Sequence, residues 1–246
     1  MTQATVLEYQ GDELTLFAKA LNWKRYFSGQ IAPFLGDNVL EVGAGMGGTT
    51  AILAKGQTSW VCLEPDPTLA DEVKEAIAAG RLPAFCTVEA GTTSDLLARD
   101  RHDGYDSVIY IDVLEHIEDD AGELDNAYRL VRPGGHLVVL SPAFQWLFTP
   151  FDSAVGHFRR YDRARMLEIA PQGQAPVKMR YLDSVGMLAS LANRLLLRSG
   201  MPTQEQVLTW DRLMVPISRL TDPILGYGFG RSILAVWRKQ ESACES

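Results

Sequence analysis

The sequence is that of an α/β protein built on a parallel sheet with crossover helices. Three observations carry this. Short apolar runs alternate with helical patterns between residues 38 and 140. The first run breaks into glycines at Gly43, Gly45 and Gly48. Acidic residues, Glu41, Glu64 and Asp112, fall at the ends of three runs, the edge at which such sheets bind ligands.

The elements follow in order. Residues 13–34 read as a helix as far as Pro33, with Leu14, Phe17, Leu21 and Tyr26 near helical spacing. Trp23 and Tyr26 on it suit either a cofactor cover or core packing. Asn38–Val42 is the first strand, and a short helix starts near Thr49. Trp60–Leu63 is the second strand, ending in Glu64-Pro65-Asp66-Pro67. A helix over Thr68–Ala79 stops at Gly80. Phe85–Val88 and Ser107–Ile111 are the third and fourth strands. The stretch 120–131 is amphipathic, with Leu124, Ala127, Leu130 and Val131 on one face. Pro133-Gly134-Gly135 predicts a tight turn into a fifth strand, His136–Leu140. Val177–Leu182 and Ser232–Trp237 are two further strands. Between them lie helical patterns at Ser184–Leu197 and Gln204–Leu220, so residues 184–227 are expected to form a helical cover. No repeat or low-complexity linker divides the chain, and a single domain over 1–246 is expected.

Composition narrows the function. Hydrophobic residues at 46% suffice for a full core. A net charge of -8 disfavours a phosphate backbone as partner, so no nucleic acid is expected. Cys62, Cys86 and Cys244 lack metal-ligand spacing, and the first two sit in apolar runs as expected of reduced core thiols. No metal is expected. Glu8, Asp12 and Glu13 precede any apolar stretch, unlike a secretory signal. Val185–Leu197 is interrupted by Asn193 and Arg194 and is too short to span a bilayer. A cytoplasmic protein, monomeric or homodimeric, is the expectation.

Chemistry concentrates in the glycine turn. Gly43-Ala44-Gly45 lets a ligand approach the backbone, and the helix behind it offers unpaired N–H groups. The Gly43, Gly45, Gly48 pattern with Glu64 downstream also fits a dinucleotide site. Three features separate the readings. Glu41 stands before the glycines, where an acid suits a cationic group better than a pyrophosphate. Asp112-Val113-Leu114-Glu115-His116-Ile117 follows the fourth strand, and Pro133-Gly134-Gly135 precedes the fifth.

Together, over residues 30–145, these motifs resemble the class I S-adenosylmethionine-dependent methyltransferases. The resemblance implies a seven-stranded sheet whose last strand is antiparallel. It also implies S-adenosylmethionine as cofactor, with Glu41 and the Gly43–Gly45 backbone on its methionine part. Glu64, next to Pro65, would bind the ribose hydroxyls. Gly91 and Thr92 would lie near adenine, where the family often has an acid that this chain lacks. Asp112, next to Val113, would sit beside the sulfonium, although an Asp there also suits a helix N-cap.

The segment Leu147–Asp152 followed by Gly156-His157-Phe158-Arg159-Arg160-Tyr161 resembles a bacterial subgroup of these enzymes. Members of it often accompany glycosyltransferases or natural-product pathways. His157 is the candidate base for a hydroxyl acceptor. Arg159, Arg160 and Tyr161 are the candidate acceptor contacts, the arginines for a carboxylate or phosphate. Each also suits a purely structural role in the loop. The expected reaction is methyl transfer to a small molecule, with O-methylation of a natural product or a sugar or glycan precursor as its finer form. A nicotinamide-dependent oxidoreductase and a non-catalytic cofactor-binding protein are the competing classes. The first would need a hydride-transfer residue set that is not found in the sequence.

Overall fold

The structure is a computed structural model that describes residues 16–102, 104–192 and 203–241. Seven strands form one sheet: β1 (Asn38–Val42), β2 (Ser59–Glu64), β3 (Cys86–Ala90), β4 (Tyr105–Ile111), β5 (Val131–Pro142), β6 (Lys178–Leu182) and β7 (Ser232–Arg238). Their order is β3-β2-β1-β4-β5-β7-β6. β1 to β5 run parallel, and β7 pairs antiparallel with both β5 and β6. The strand order reverses between β1 and β4, which opens a crevice at their carboxyl ends.

The central strands β1, β2, β4 and β5 are mainly apolar because both faces are covered, whereas β3 and β6 at the sheet edges carry polar residues. Alternate residues feed two cores. Val39, Trp60, Cys62, Ile109 and Val138 pack under helix Leu21–Ile31 on one face. Leu40, Val61, Val108, Tyr110 and Val139 pack under helix Asp120–Leu130 on the other. The apolar face read over 120–131 is thus the buried face of that helix, with Leu124, Ala127 and Leu130 fully enclosed.

Two elements differ from the sequence reading. The N-terminal helix is Leu21–Ile31, closed by a 3-10 turn at Ala32–Phe34, and Leu14 lies outside the described residues. Pro133-Gly134-Gly135 does not precede β5 but bulges within it. Pairing jumps from Tyr105↔Val131 to Ser107↔His136, and Gly134 takes a φ of 78°. Helices Thr93–Ala98 and Arg163–Glu168 had no long apolar period to betray them; each is six residues started by a side-chain cap, Thr92 and Asp162.

The segment between β6 and β7 holds helices Ser184–Ala192, Gln204–Thr209 and Val215–Ile224, with a π-turn at Trp210–Met214. The rest of the helix expected to Leu197 lies outside the described residues, as does Cys244. A buried acid ties this segment to the N-terminal helix. Helix Leu21–Ile31 has Ala20 at its N-cap, which offers no side-chain acceptor. Asp211 supplies it from the π-turn, accepting from Trp23 N at 2.8 Å and Asn22 N at 3.2 Å. Asp222 accepts from Tyr26 Oη at 2.6 Å and from the backbone of Asp183 and Ser184. Tyr26 is therefore core. No helix among the described residues is long and apolar enough to cross a membrane.

Candidate active site

The carboxyl ends of β1, β2 and β4 open into one cavity of about 1240 Å³, large enough for a cofactor and a small second molecule. The glycine turn forms its floor. Gly43 has a φ of 68°, and a Cβ there would lie 2.7 Å from a Val113 methyl, so only glycine lets the turn close on the β4 loop. Gly43 N donates to Leu63 O at 2.8 Å, locking the turn to β2. Ala44, Gly45 and Val113 line the cavity with it.

Glu64 ends β2 and faces the cavity. Its carboxylate accepts from Gly45 N at 2.8 Å and Asp66 N at 3.0 Å. Burial pushes its pKa up and these two donors pull it down, with burial the stronger. Each oxygen keeps a free lone pair, which suits paired hydroxyls. Pro65 adjoins it in the wall. Gly91, held by Glu64 O at 3.1 Å, and Thr92 form the neighbouring rim. The acid nearest that rim is Asp95, whose carboxylate is taken by Thr92 in a capping box.

Glu41 does not reach the cavity, which corrects its expected place beside the ligand. Val42 still follows it in β1, so the strand pleat turns its side chain into the core under Trp23 rather than over the edge. Its carboxylate accepts from Thr50 Oγ1 at 2.6 Å and Trp60 Nε1 at 2.8 Å. Burial raises its pKa to about 7 against these bonds. Lys24, absent from the sequence reading, lies in the wall instead, with Nζ 2.8 Å from where a Cβ on Gly48 would stand.

Asp112 follows β4 with a φ of 55° and carries its side chain into the cavity space. It caps nothing: the turn Leu114–His116 begins at Val113 with no side-chain cap. Enclosure raises its pKa to about 6, opposed by His157, Arg231 and Arg160. Glu115 is wholly buried and held well above the usual carboxylate range, first by burial and then by Asp112.

The loop after β5 brings His157 to the same wall. His157 Nδ1 lies 3.0 Å from Asp152 Oδ1, leaving Nε2 toward Glu115 Oε1 at 4.0 Å. Its ring meets His116 edge-on with centroids 4.6 Å apart. Burial, then His157, lowers the His116 pKa to about 4. Glu115, His116 and His157 are the one group among the described residues with metal-ligand spacing, their ligand atoms lying within 4.8 Å. Asp152 was missed by the sequence reading. Burial opposes its charge, but His157 and a two-pronged Arg160, at 2.8 and 3.0 Å, hold it below the usual carboxylate range.

Arg160 lines the cavity, but Arg159 and Tyr161 do not. The chain from Phe158 to Tyr161 is extended and bridges to Ala143, so neighbouring side chains alternate. Arg159 turns away to Asp120 at 2.8 Å and to the Ile117 and Glu118 carbonyls. Tyr161 is fully buried, donating to Leu114 O at 3.0 Å. Both expected acceptor contacts are corrected to structural roles. The lining also includes Phe17, read in the sequence only for its helical spacing, and Trp210 and Arg231, which the sequence did not single out.

Residues 40–137 match a family described as "Methyltransferase domain". Demethylmenaquinone methyltransferase of Tropheryma whipplei (strain Twist) is 27% identical over 124 residues, 50% of this chain and 49% of the relative. The match thus spans about half the length of that curated relative. A SAM dependent methyltransferase from Archaeoglobus fulgidus superposes with a TM-score of 0.62 at 14% identity, over 93% of this chain and 100% of its own. An O-methyltransferase family protein from Burkholderia thailandensis gives 0.58 at 17% identity, over 94% of this chain and 58% of its own. The [4+2]-cyclase SpnF gives 0.61 at 13% identity, over 94% and 95%. At such identities the likeness is one of fold, and the cyclase shows why the reaction must be argued from the site. The family match covers the glycine turn, Glu64 and Asp112, and the sheet order is shared beyond it. On these grounds residues 40–137 are similar to a methyltransferase domain, and the chain has the fold of a SAM dependent methyltransferase.

Proposed function

We propose that this chain transfers a methyl group from S-adenosylmethionine to a hydroxyl of a small, largely apolar acceptor. The observation that carries the reading is one cavity joining the glycine turn, Glu64 and Asp112 to the His157–Asp152 pair. The residues fit the cofactor. The Gly43–Gly45 turn leaves backbone room, Glu64 keeps lone pairs for the ribose hydroxyls, and Gly91 and Thr92 flank the adenine end. Lys24 and Asp112 both line the cavity, where the ammonium would suit the cofactor's carboxylate and the Asp112 carboxylate would stabilise the sulfonium. When bound, the cofactor supplies a methyl carbon already activated by positive charge. Alignment then accounts for most of the acceleration.

His157 deprotonates the acceptor in this reading. Asp152 holds Nδ1, which makes Nε2 the basic nitrogen toward the cavity. Phe17, Trp210 and Phe151 around the remaining space favour an aromatic or apolar body over a bare sugar, so a natural product is the preferred acceptor. The described residues of the expected cover, 184–192 and 203–227, reach the cavity through Trp210, which supports that role. The buried free thiols Cys62 and Cys86 support a reducing, cytoplasmic setting for a single-domain protein, monomeric or homodimeric.

Calorimetry tests the cofactor. S-adenosylhomocysteine is expected to bind and NAD is not. Glu64→Ala is expected to weaken binding by about 1.5–3 kcal/mol, as for hydrogen bonds to a charged group. Binding of NAD alone, or an unchanged affinity in Glu64→Ala, refutes the assignment.

A further inference from the structure

Three cations line the cavity, Lys24, Arg160 and Arg231, and the first two donate hydrogen bonds within the fold. Arg160 pairs with Asp152 through one edge of its guanidinium, Nε and Nη2. Lys24 belongs to the glycine-turn end, beside Gly48. Arg231 is different. Among the described residues its guanidinium makes no hydrogen bond or ion pair; only its backbone does, to Asp183 O and from Ala143 N.

What surrounds Arg231 explains this. The guanidinium lies over the Trp210 ring at 4.8 Å and the Phe17 ring at 6.0 Å. The acid acting on it most strongly is Asp183. That carboxylate is already taken by Trp210 Nε1 at 2.7 Å, Ser218 Oγ at 2.6 Å and Gly186 N at 3.1 Å. Asp152 is spent on His157 and Arg160, and Asp112 stands in the same cavity, its charge acting on Arg231 without a hydrogen bond between them. A partly buried guanidinium that meets ring faces and nearby acids but makes no hydrogen bond keeps its planar fork of donors open. The rings about it continue from Phe17 to Phe151 at 6.4 Å and from Trp210 to Trp23 at 5.9 Å.

We propose that Arg231 is an anion-binding subsite of the acceptor pocket, and that the acceptor carries a carboxylate on an aromatic or apolar body. The inference rests on the methyl-transfer reading only in calling the bound molecule an acceptor. A planar carboxylate matches one guanidinium with two parallel hydrogen bonds. A phosphate dianion is disfavoured, because a single open cation faces it while Asp112 and Asp183 stand near. The subsite shares the cavity with His157, so a carboxylate held there would leave the body among the rings with a hydroxyl free to meet the imidazole.

The full chain, isotopically labelled and saturated with S-adenosylhomocysteine, is titrated with 1-naphthoate and with the matched neutral 1-naphthamide. Nuclear magnetic resonance follows the Arg231 Nε–H and Trp210 indole signals. Naphthoate is expected to shift both saturably and to bind about 10-fold or more tightly than the amide. Arg231→Gln should erase that preference, and Arg231→Lys should keep part of it. Circular dichroism checks that each variant folds, and the wild-type comparison stands without either. No shift with naphthoate, an equal response to the amide, or equal displacement by inorganic phosphate overturns the proposal. So does a loss of S-adenosylhomocysteine affinity in folded Arg231→Gln with the naphthoate preference intact, which would assign Arg231 to the cofactor. Failure of S-adenosylhomocysteine to bind refutes the methyl-transfer reading instead, and the naphthoate arm is then read on the free protein.

Discussion

Glu41→Gln separates a ligand contact from a buried core acid. In the fold Glu41 is 2% exposed and touches Thr50 and Trp60, not the cavity. Its pKa is about 7 against an ordinary 4.5. A raised carboxylate pKa means that the folded state holds the proton more tightly than the unfolded chain. Its favourable contribution is complete below pH 4.5 and is lost as pH rises through about 7. One pKa unit is about 1.36 kcal/mol, so the gap corresponds to about 3 kcal/mol. Glutamine keeps an acceptor for Thr50 and Trp60 and has no proton to lose. Urea unfolding of both proteins across this range is the assay. The stability of Glu41→Gln relative to wild type should climb by about 3 kcal/mol between pH 4.5 and 8, with unchanged affinity for S-adenosylhomocysteine. A difference flat with pH, or a tenfold loss of that affinity, refutes the reasoning and restores Glu41 to the ligand.

The other two perturbations probe the base and the cover. His157→Gln should lower turnover by about 10²–10⁴, the usual worth of a general base, while cofactor affinity stays within twofold to threefold. Turnover within a few-fold of wild type in a folded variant leaves the loop a positioning role only. Asp211→Ala removes the distant cap of helix Leu21–Ile31 and leaves two backbone donors unpaired. The expected loss is about 1–3 kcal/mol in denaturant unfolding, with faster amide exchange at Asn22 and Trp23. A loss below about 0.3 kcal/mol would show that water caps the helix as well.

The sheet was legible because its central strands are mainly apolar runs, the mark of burial on both faces. The site was legible where backbone dictates chemistry: Gly43 permits one turn, and Glu64 is the last residue of β2 and so stands on its edge. Glu41 misled because it is one residue short of the end of β1, and a one-residue step in a strand exchanges edge for core. Arg159 and Tyr161 misled for a related reason: a cluster of polar residues in an extended segment splits between two faces. Trp210 and Arg231 gave no local signal. Their place depends on a contact between segments far apart in the chain, which composition and spacing do not encode.

The direction of β7 has a consequence for how such a protein diversifies. Because β7 runs against β5, its beginning rather than its end lies at the ligand edge, with Ser232 opposite Pro142. Arg231 therefore enters the cavity from a stretch of chain that contributes nothing to the glycine turn or to Glu64. Most of the cofactor wall is drawn from residues 43–113, whereas the far wall comes from the loop at 151–160 and the stretch 210–232, with Phe17 between them. Replacing the latter stretches in a relative would change what is methylated while sparing the methyl donor's grip. The sequence match to the family ends at residue 137, before those stretches begin. A graft of 143–231 onto another chain of this fold is the corresponding engineering route, provided that helix Leu21–Ile31 is carried along so that Asp211 keeps its bond from Trp23 N.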